Sequence, residues 1–155
     1  MKVIYYGNIA TYAAYTMAVI HLGIYDEGKL PCLEDILRQW ELCFIHGLQK
    51  GNLIYMGLDD ELREIYVIGC GRHGNMLEKI YNSLNVIYDL KEDIYLIKAD
   101  IGEITAGFLI SLCLQFPSME PMIKKLFVSV YKRAYPLWCK KVRGEKEKLK
   151  KGKKL

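Results

Sequence analysis

The sequence lacks the patterns that mark secreted, membrane-spanning and repeat proteins. Its five cysteines are an odd number with no Cys-x-x-Cys pair and no signal peptide before them, which predicts a cytoplasmic protein without a disulfide framework. The longest nearly uncharged run, residues 104–117, is shorter than the roughly 20 residues that a membrane-spanning helix needs. We find no repeat with a period of about 20–50 residues. A chain of 155 residues with these properties is expected to form one globular domain.

Charge is distributed unevenly along the chain. Hydrophobic residues make up 52% and charged residues 26%, as in folded rather than disordered proteins. The segment Lys140–Leu155 contains nine basic and two acidic residues, whereas the preceding residues contain 13 basic and 16 acidic ones. Residues 1–139 are thus mildly acidic, and the basic residues concentrate at the end of the chain. We therefore predict an α/β domain at residues 1–143 and a basic, disordered tail at residues 144–155.

The hydrophobic periodicity alternates between strand and helix patterns. Short apolar runs predict strands at Lys2–Tyr6 and Ile94–Ala99, and a hairpin made of Leu53–Met56 and Glu64–Ile68. Helical spacing predicts helices over residues 11–22, 31–44, 75–88, 102–116 and 119–135, although Leu126–Tyr131 also fits an edge strand. The fold class is therefore α/β: a single three-layer domain with a mixed, mostly parallel sheet, one β-hairpin and helices on both faces.

Three local patterns predict where helices begin and end. Thr11 is predicted to be the N-cap of the first helix. Asp100 and Glu103 have the spacing of a capping box at the start of the apolar helix that follows them. Pro136 is predicted to interrupt the chain before a last helix that ends near Leu149.

The residues from Gly69 to Gly74 read Gly-x-Gly-x-x-Gly between a predicted strand and a predicted helix. In dinucleotide-binding units such glycines let a pyrophosphate approach the start of the helix. Asp100, however, lies 31 residues after Gly69, further than the usual separation of about 20 residues, and the strand resembles a hairpin partner. We predict an anion contact rather than a dinucleotide site, with a plain glycine-rich turn as the alternative; its residues are Gly69, Gly71, Arg72, His73 and Gly74.

The loop after the first strand, residues 7–12, lies where open α/β proteins bind ligands. It has neither the Lys nor the second Gly of a phosphate-binding Walker loop. Thr11 is its one candidate ligand-binding residue, since its hydroxyl can bind a phosphate as well as cap a helix.

The remaining candidates have structural explanations that compete with chemical ones. Cys70 and His73 have the residue types of a nucleophile and its base, but a free buried cysteine is common. His21 fits a core histidine better than a ligand, and the acidic residues 59–61 fit a solvated hairpin tip. Cys43 and His46 lack the further ligands of a metal site, so we predict neither a metal nor a cofactor.

The basic tail is a candidate contact for nucleic acid or an anionic membrane surface. It has no aromatic residues for base stacking and no lipidation signal, so a solubilising tail is an equal alternative. The lysines concerned are Lys146, Lys148, Lys150, Lys151, Lys153 and Lys154.

Several short motifs resemble an uncharacterised family of short proteins from spore-forming Firmicutes, whose common domain has no known function. Members of that family begin with a strand, a loop similar to YGGTHSS, and a helix that ends in AIHLG. Here Val19–Gly23 matches the end of the helix, Met56–Asp59 and Tyr66–Gly69 match the hairpin, and Lys132–Pro136 matches a late Lys-x-Ala-Tyr-Pro. The resemblance covers most of the chain before the basic tail.

The chain departs from that family in the loop after the first strand. Counted back from His21, the family's YGGTHSS falls on Asn8–Ala14, where only Thr11 is shared. The resemblance implies a loop that binds an anion in typical members, and this chain lacks its glycines, histidine and serines.

These observations lead to three interpretations of function. We favour a cytoplasmic binding or regulatory module without catalysis, for a small anionic ligand or a protein partner, with a homo-oligomer as one possible assembly. The first alternative is an enzyme that acts on a phosphate-bearing or acyl substrate through Cys70, Arg72 and His73. The second is an accessory protein that binds nucleic acid or a membrane surface through its basic tail.

Overall fold

The computed structural model describes residues 1–46, 49–88 and 93–152 and centres on one four-stranded sheet. Its strands lie in the order β2-β3-β1-β4. β1 is parallel to both β3 and β4, and β2 is antiparallel to β3, so that β2 and β3 form the predicted hairpin. The strands are β1 Lys2–Gly7, β2 Leu53–Leu58, β3 Glu64–Gly69 and β4 Ile94–Lys98.

Helices connect these strands, as the periodicity predicted. A π-helical turn, Ala10–Ala14, leads directly into α1, and short 3₁₀ turns, Gly71–His73 and Pro117–Met119, precede α3 and α5. The helices are α1 Tyr15–His21, α2 Leu33–His46, α3 Gly74–Tyr88, α4 Glu103–Gln115 and α5 Glu120–Gly152. The sequence was compatible with either a helix or an edge strand in the segment 119–135. In the structure this segment is helical from Glu120 onward.

The main hydrophobic core lies on one face of the sheet. Val3 and Tyr5 point to this face together with their register partners Ile65 and Val67, because alternate residues of a strand share a face. All four side chains are buried. They are covered by the π-helical turn, α1, α2 and α5, and these elements add a cluster of aromatic rings: Tyr12, Trp40, Phe127, Tyr131 and Trp138.

α3 covers the opposite face. Tyr6 is one residue beyond Tyr5 and therefore points to that face, where its hydroxyl donates to Glu78 of α3. The Tyr81 hydroxyl donates to the carbonyl of Ile94 in β4, at 2.6 Å. Helices thus lie on both faces, which confirms the predicted three-layer α/β fold.

α5 continues through Pro136, and the predicted interruption there is wrong. A proline inside a helix removes one backbone hydrogen bond and disfavours the helix by about 3 kcal/mol relative to alanine. Buried residues before and after it, Tyr131, Tyr135, Trp138 and Val142, recur at helical spacing and pack into the core. This packing holds the helix together across the proline.

The last turns of α5 include residues 144–152, for which the charge pattern predicted disorder. Leu149 is buried there, and Glu145 accepts a hydrogen bond from the Tyr95 hydroxyl at 2.8 Å. The lysine-rich composition predicted disorder because it does not reveal these contacts, which lie on one side of the helix only. Residues 153–155 of the predicted tail lie outside the described residues.

Both predicted helix caps are wrong. Thr11 lies inside the π-helical turn, because the chain turns helical earlier, after Ile9, and its side chain makes no cap hydrogen bond. α4 begins after Gly102, whose φ of +77° suits glycine, and it too has no side-chain cap. Asp100 instead pairs with Lys141, at 3.0 Å, and Glu103 turns into the interior.

Candidate functional site

The loops that follow β1, β3 and β4 meet at one edge of the sheet, because these three strands are parallel. The amide of Cys70 donates to the carbonyl of Gly7 at 2.7 Å, and the amide of Gly71 donates to the carbonyl of Asn8 at 3.1 Å. On the other side of β1, the amide of Ala99 donates to the carbonyl of Tyr6 at 2.7 Å. In open α/β sheets this edge is where ligands bind.

A cavity of about 650 Å³ opens at this edge, and we call it the carboxyl-edge cavity. Asn8 and Ile9 line it from the loop after β1, Lys50 from the approach to β2, and Arg72 from the turn after β3. α4 supplies the rest of the lining: Ile104, Gly107, Phe108, Ile110 and Ser111.

The charges at the carboxyl-edge cavity are positive. Among the described lining residues, Lys50 and Arg72 carry the charges and none is acidic. The Lys50 side chain passes over Gly71, where a Cβ atom would lie 2.8 Å from its Cε atom. Gly71 also has a φ of +57°, a conformation that other residues rarely adopt. Glycine at position 71 therefore suits the backbone conformation of this turn and leaves space for the Lys50 side chain.

A buried carboxyl group lies behind the loop after β1. The amides of Asn8 and Ile9 both donate to Glu103, the second at 3.3 Å. Glu103 is buried, and a Cβ atom on Gly7 would overlap its carboxylate. Burial raises the pKa of Glu103 to about 7, while the two amide donors act in the opposite direction without reversing the shift.

Only some residues of the predicted glycine-rich site lie at the carboxyl-edge cavity. Arg72 lines it, and Gly71 shapes it. Gly69 has a packing role, since a Cβ atom there would lie 2.9 Å from the Ala10 amide nitrogen. At Gly74 a Cβ atom would only make an ordinary contact with the Tyr6 ring, at 3.5 Å. The His73 side chain is exposed and does not line the carboxyl-edge cavity.

Thr11, the other predicted ligand-binding residue, lies elsewhere. It lines a separate cavity of about 330 Å³, bordered by α2 and the hairpin. The structure thus brings Arg72 and Gly71 together but places Thr11 at a second site.

Cys70 and His73 do not form a nucleophile and base pair in the described part of the chain. Their one hydrogen bond joins the His73 amide to the Cys70 carbonyl, at 3.0 Å. Burial, with a contribution from Glu103, raises the pKa of the Cys70 thiol, which disfavours the reactive thiolate. Cys43 is also buried, and its thiol donates to the Thr11 carbonyl at 3.1 Å. Among the described residues we find no cluster able to hold a metal ion.

His21 belongs to a buried network at the opposite edge of the sheet. The Tyr5 hydroxyl donates to its Nδ1 atom at 2.6 Å, because burial raises the pKa of Tyr5 well above its usual range. The His21 Nε2 atom then donates to Asp59 at 3.1 Å, and Arg63 donates to the same carboxylate oxygen at 2.6 Å. Mainly through burial, the pKa of His21 falls to about 4, so the ring is neutral.

Asp59 corrects the prediction of a solvated hairpin tip. It is buried, and its second oxygen accepts the backbone amides of Glu61 and Arg63, both at 2.9 Å. Burial acts to raise the pKa of Asp59, but the hydrogen bonds from Arg63 and from the Glu61 amide outweigh it and lower the pKa. The network therefore fastens the hairpin to α1 and has a structural role.

The lysines of the predicted tail lie mostly on α5. Lys146, Lys148, Lys150 and Lys151 belong to this helix, and Lys148 pairs with Glu145 at 2.7 Å. Lys153 and Lys154 lie outside the described residues.

Sequence reasoning missed Lys50 and the α4 residues of the cavity. Lys50 has no local motif, because only the pairing of β2 with β3 brings it to the site. Phe108 and Ser111 lie in a helix that is apolar nearly all round, so its periodicity did not distinguish a cavity-lining side. Asn8 had a usable signal, namely its position directly after a buried strand.

Comparison with known proteins places the chain among relatives without an assigned activity. In the described residues, no helix has the length and apolar character that crossing a membrane requires. Comparisons with curated proteins and with solved structures gave no match. A family model described as "Protein of unknown function (DUF3189)" matches residues 2–147, nearly the whole chain, which confirms the predicted resemblance to an uncharacterised family. The chain therefore belongs to the DUF3189 family of proteins of unknown function.

Proposed function

We propose that this chain is a cytoplasmic, non-catalytic binding protein for a small anionic ligand, which Lys50 and Arg72 hold in the carboxyl-edge cavity. The observation that supports this proposal most directly is the pair of cationic side chains in a cavity at the edge where open α/β proteins bind ligands. The volume of about 650 Å³ falls within the usual range of roughly 300–1,000 Å³ for small-molecule sites.

The lining indicates an anion that also carries an apolar group. Lys50 and Arg72 suit a phosphate or a carboxylate, and Ile104 and Phe108 form an apolar wall beside them. The amides of Asn8 and Ile9 already donate to Glu103, so the anion depends on the two side chains rather than on these backbone groups.

Binding without catalysis is favoured by the hydrogen bonds and titration of the neighbouring groups. The Ser111 hydroxyl donates to the carbonyl of Gly107 at 2.9 Å, a contact within its own helix. Burial and the Glu103 carboxylate raise the pKa of the nearby Cys70 thiol, and in the described residues the one hydrogen bond between Cys70 and His73 joins backbone groups. A covalent mechanism needs an activated nucleophile, and these groups do not supply one. The free state of all five cysteines agrees with a reducing cytoplasm.

The proposal is tested by measuring ligand binding to the full chain and to charge variants. Inorganic phosphate, adenosine monophosphate and benzoate are titrated by calorimetry and by thermal unfolding at low salt. We expect at least one of them to bind, and a ligand at 100 times its dissociation constant to stabilise the chain by about 2.7 kcal/mol. Lys50→Gln and Arg72→Gln should each weaken that binding about tenfold, since each removes a charge-assisted hydrogen bond.

Matched controls separate a specific site from a general charge effect. Lys132→Gln and Arg133→Gln remove the same charges at exposed positions of α5 and should leave the affinity unchanged. Equal losses in all four variants, or binding that survives Lys50→Gln and Arg72→Gln, would show that the carboxyl-edge cavity is not the anion site.

A further inference from the structure

A second cavity lies on the other side of the loop that follows β1. Asn8 and Ile9 line the carboxyl-edge cavity, whereas the next two residues, Ala10 and Thr11, line this one, which we call the Thr11 cavity. α2 contributes Leu42 to its wall. The π-helical turn therefore separates two cavities with different linings.

The walls of the Thr11 cavity are mainly apolar. Ala10 and Val67 are buried and Met56 is half-buried, and the rest of the apolar lining comes from Leu42, Ile54 and the ring of Tyr15. Among its described lining residues there is no Lys, Arg, Asp or Glu, in contrast to the carboxyl-edge cavity. An uncharged lining of this kind favours a neutral occupant, because transfer of a charge into it costs free energy.

The Thr11 hydroxyl is a buried polar group without a hydrogen-bond partner in the described structure. Thr11 is buried, with an exposed fraction of 8%, so this residue is withdrawn from the bulk solvent. Two donors from α2 bond to the Thr11 carbonyl rather than to its hydroxyl: the Gln39 amide at 2.9 Å and the Cys43 thiol at 3.1 Å. Such unsatisfied groups are uncommon in native proteins, and a ligand is one way to satisfy them.

The size of the cavity limits what can bind. Its volume of about 330 Å³ is near the lower end of the range for small-molecule sites. An apolar cavity of roughly 150 Å³ accommodates benzene, so this one has room for a substituted ring.

We propose that the Thr11 cavity binds a small neutral molecule that has an apolar ring or chain and one oxygen, which forms a hydrogen bond with the Thr11 hydroxyl. This site goes beyond the proposed anion site and is independent of it. His46, Gln49 and Asn52 are exposed residues of the same lining, and they offer further polar contacts at the entrance.

Phenol carries a hydroxyl group where toluene carries a methyl group, so the ratio of their affinities reports the hydrogen bond with Thr11 separately from the filling of the cavity. Benzoate, an anion, tests whether the cavity excludes a charged ligand. Binding to the full chain is followed by chemical-shift changes of the backbone amides. We expect phenol to bind with a dissociation constant of millimolar order or below, toluene more weakly, and benzoate not at this site. Thr11→Val should weaken phenol binding about tenfold and leave toluene binding within twofold, whereas Thr11→Ser should retain phenol binding.

A variant that fills the cavity gives a second, independent readout. Leu42→Trp should abolish the binding of both phenol and toluene, whereas Leu37→Trp, a half-buried position of α2 outside this lining, should keep it. Lys50→Gln and Arg72→Gln should not change phenol binding. If neither probe binds at 10 mM, roughly the weakest affinity worth measuring, or if Leu37→Trp and Leu42→Trp lose binding equally, the proposal is wrong. An unchanged ratio of phenol to toluene affinity in folded Thr11→Val overturns the role of the hydroxyl.

Discussion

Asn8 and Ile9 follow β1 at the edge of the sheet where backbone amides of open α/β proteins often bind an anionic ligand. In this chain both amides donate to the carboxylate of Glu103. The protein thus supplies an internal acceptor for these donors. Because Glu103 is buried, its ionisation is linked to the stability of the fold.

The free energy of unfolding of Glu103→Gln, relative to that of the natural chain, should increase as the pH rises. The pKa of Glu103 is about 7 in the folded chain, whereas its ordinary value is 4.5. Between pH 4.5 and pH 7 the folded chain therefore holds a proton that the unfolded chain has released. Stability from this group is full below pH 4.5 and is lost as the pH rises through 7. The difference between Glu103→Gln and the natural chain should grow by about 3 kcal/mol across this window, measured by urea unfolding.

A surface variant provides the control for this measurement. Glu147→Gln removes the same charge from an exposed position of α5 and should give a difference that hardly changes with pH. A pH-independent difference for Glu103→Gln as well would mean that Glu103 ionises normally in the folded chain.

At the scale of the element, α5 is a long helix that contains a proline. Pro136 is exposed, and its ring nitrogen cannot donate to the carbonyl of Lys132, one turn earlier. The buried residues Tyr135 and Trp138 hold the helix on the core on both sides of this position.

Pro136→Ala should therefore stabilise the chain by about 1–3 kcal/mol, since it restores the backbone hydrogen bond and the helix propensity. Urea unfolding measures the change, and far-ultraviolet circular dichroism checks that the helical content is kept. Arg133→Ala, at a nearby exposed position, should change stability by less than about 0.5 kcal/mol. A destabilised Pro136→Ala variant would show that the core requires a helix bent by proline.

The elements themselves were predictable from the sequence because their apolar residues repeat at the period of a strand or a helix. The strand Lys2–Gly7 and the helix Gly74–Tyr88 agree with the prediction to within one residue at each end. Rules based on neighbouring residues failed where tertiary contacts outweighed them. Glu103 has the spacing of a capping residue but contacts a loop 95 residues away in sequence, and Pro136 is overridden by packing.

The candidate site was predictable only in part, for the same reason. Arg72 was found because it lies in a local glycine motif, and the loop at Asn8 because it follows a buried strand. Lys50 comes to the cavity through strand pairing, which no pattern around it reveals. Thr11 was singled out for its hydroxyl, yet the direction of the π-helical turn placed it at the other cavity.

At the scale of the whole molecule, two buried groups respond to pH in opposite directions. Burial lowers the pKa of His21 to about 4 from 6.5, so between these values the unfolded chain binds more protons and stability rises with pH. Glu103 makes stability fall with pH between 4.5 and about 7. The two effects are each about 3 kcal/mol and overlap from pH 4.5 to 6.5, where they nearly cancel.

His21→Gln should reveal this cancellation. Glutamine can accept from Tyr5 and donate to Asp59 as the neutral histidine does, but it does not titrate. The free energy of unfolding of His21→Gln, relative to the natural chain, should fall by about 3 kcal/mol from pH 4 to 6.5, the opposite direction to Glu103→Gln. Urea unfolding of all three proteins at half-unit steps of pH measures both slopes. Every other titrating group is common to the three chains, so the comparison uses the difference in free energy of unfolding between each variant and the natural chain. If these two differences changed with pH in the same direction, the assignment of opposite pKa shifts to His21 and Glu103 would be contradicted.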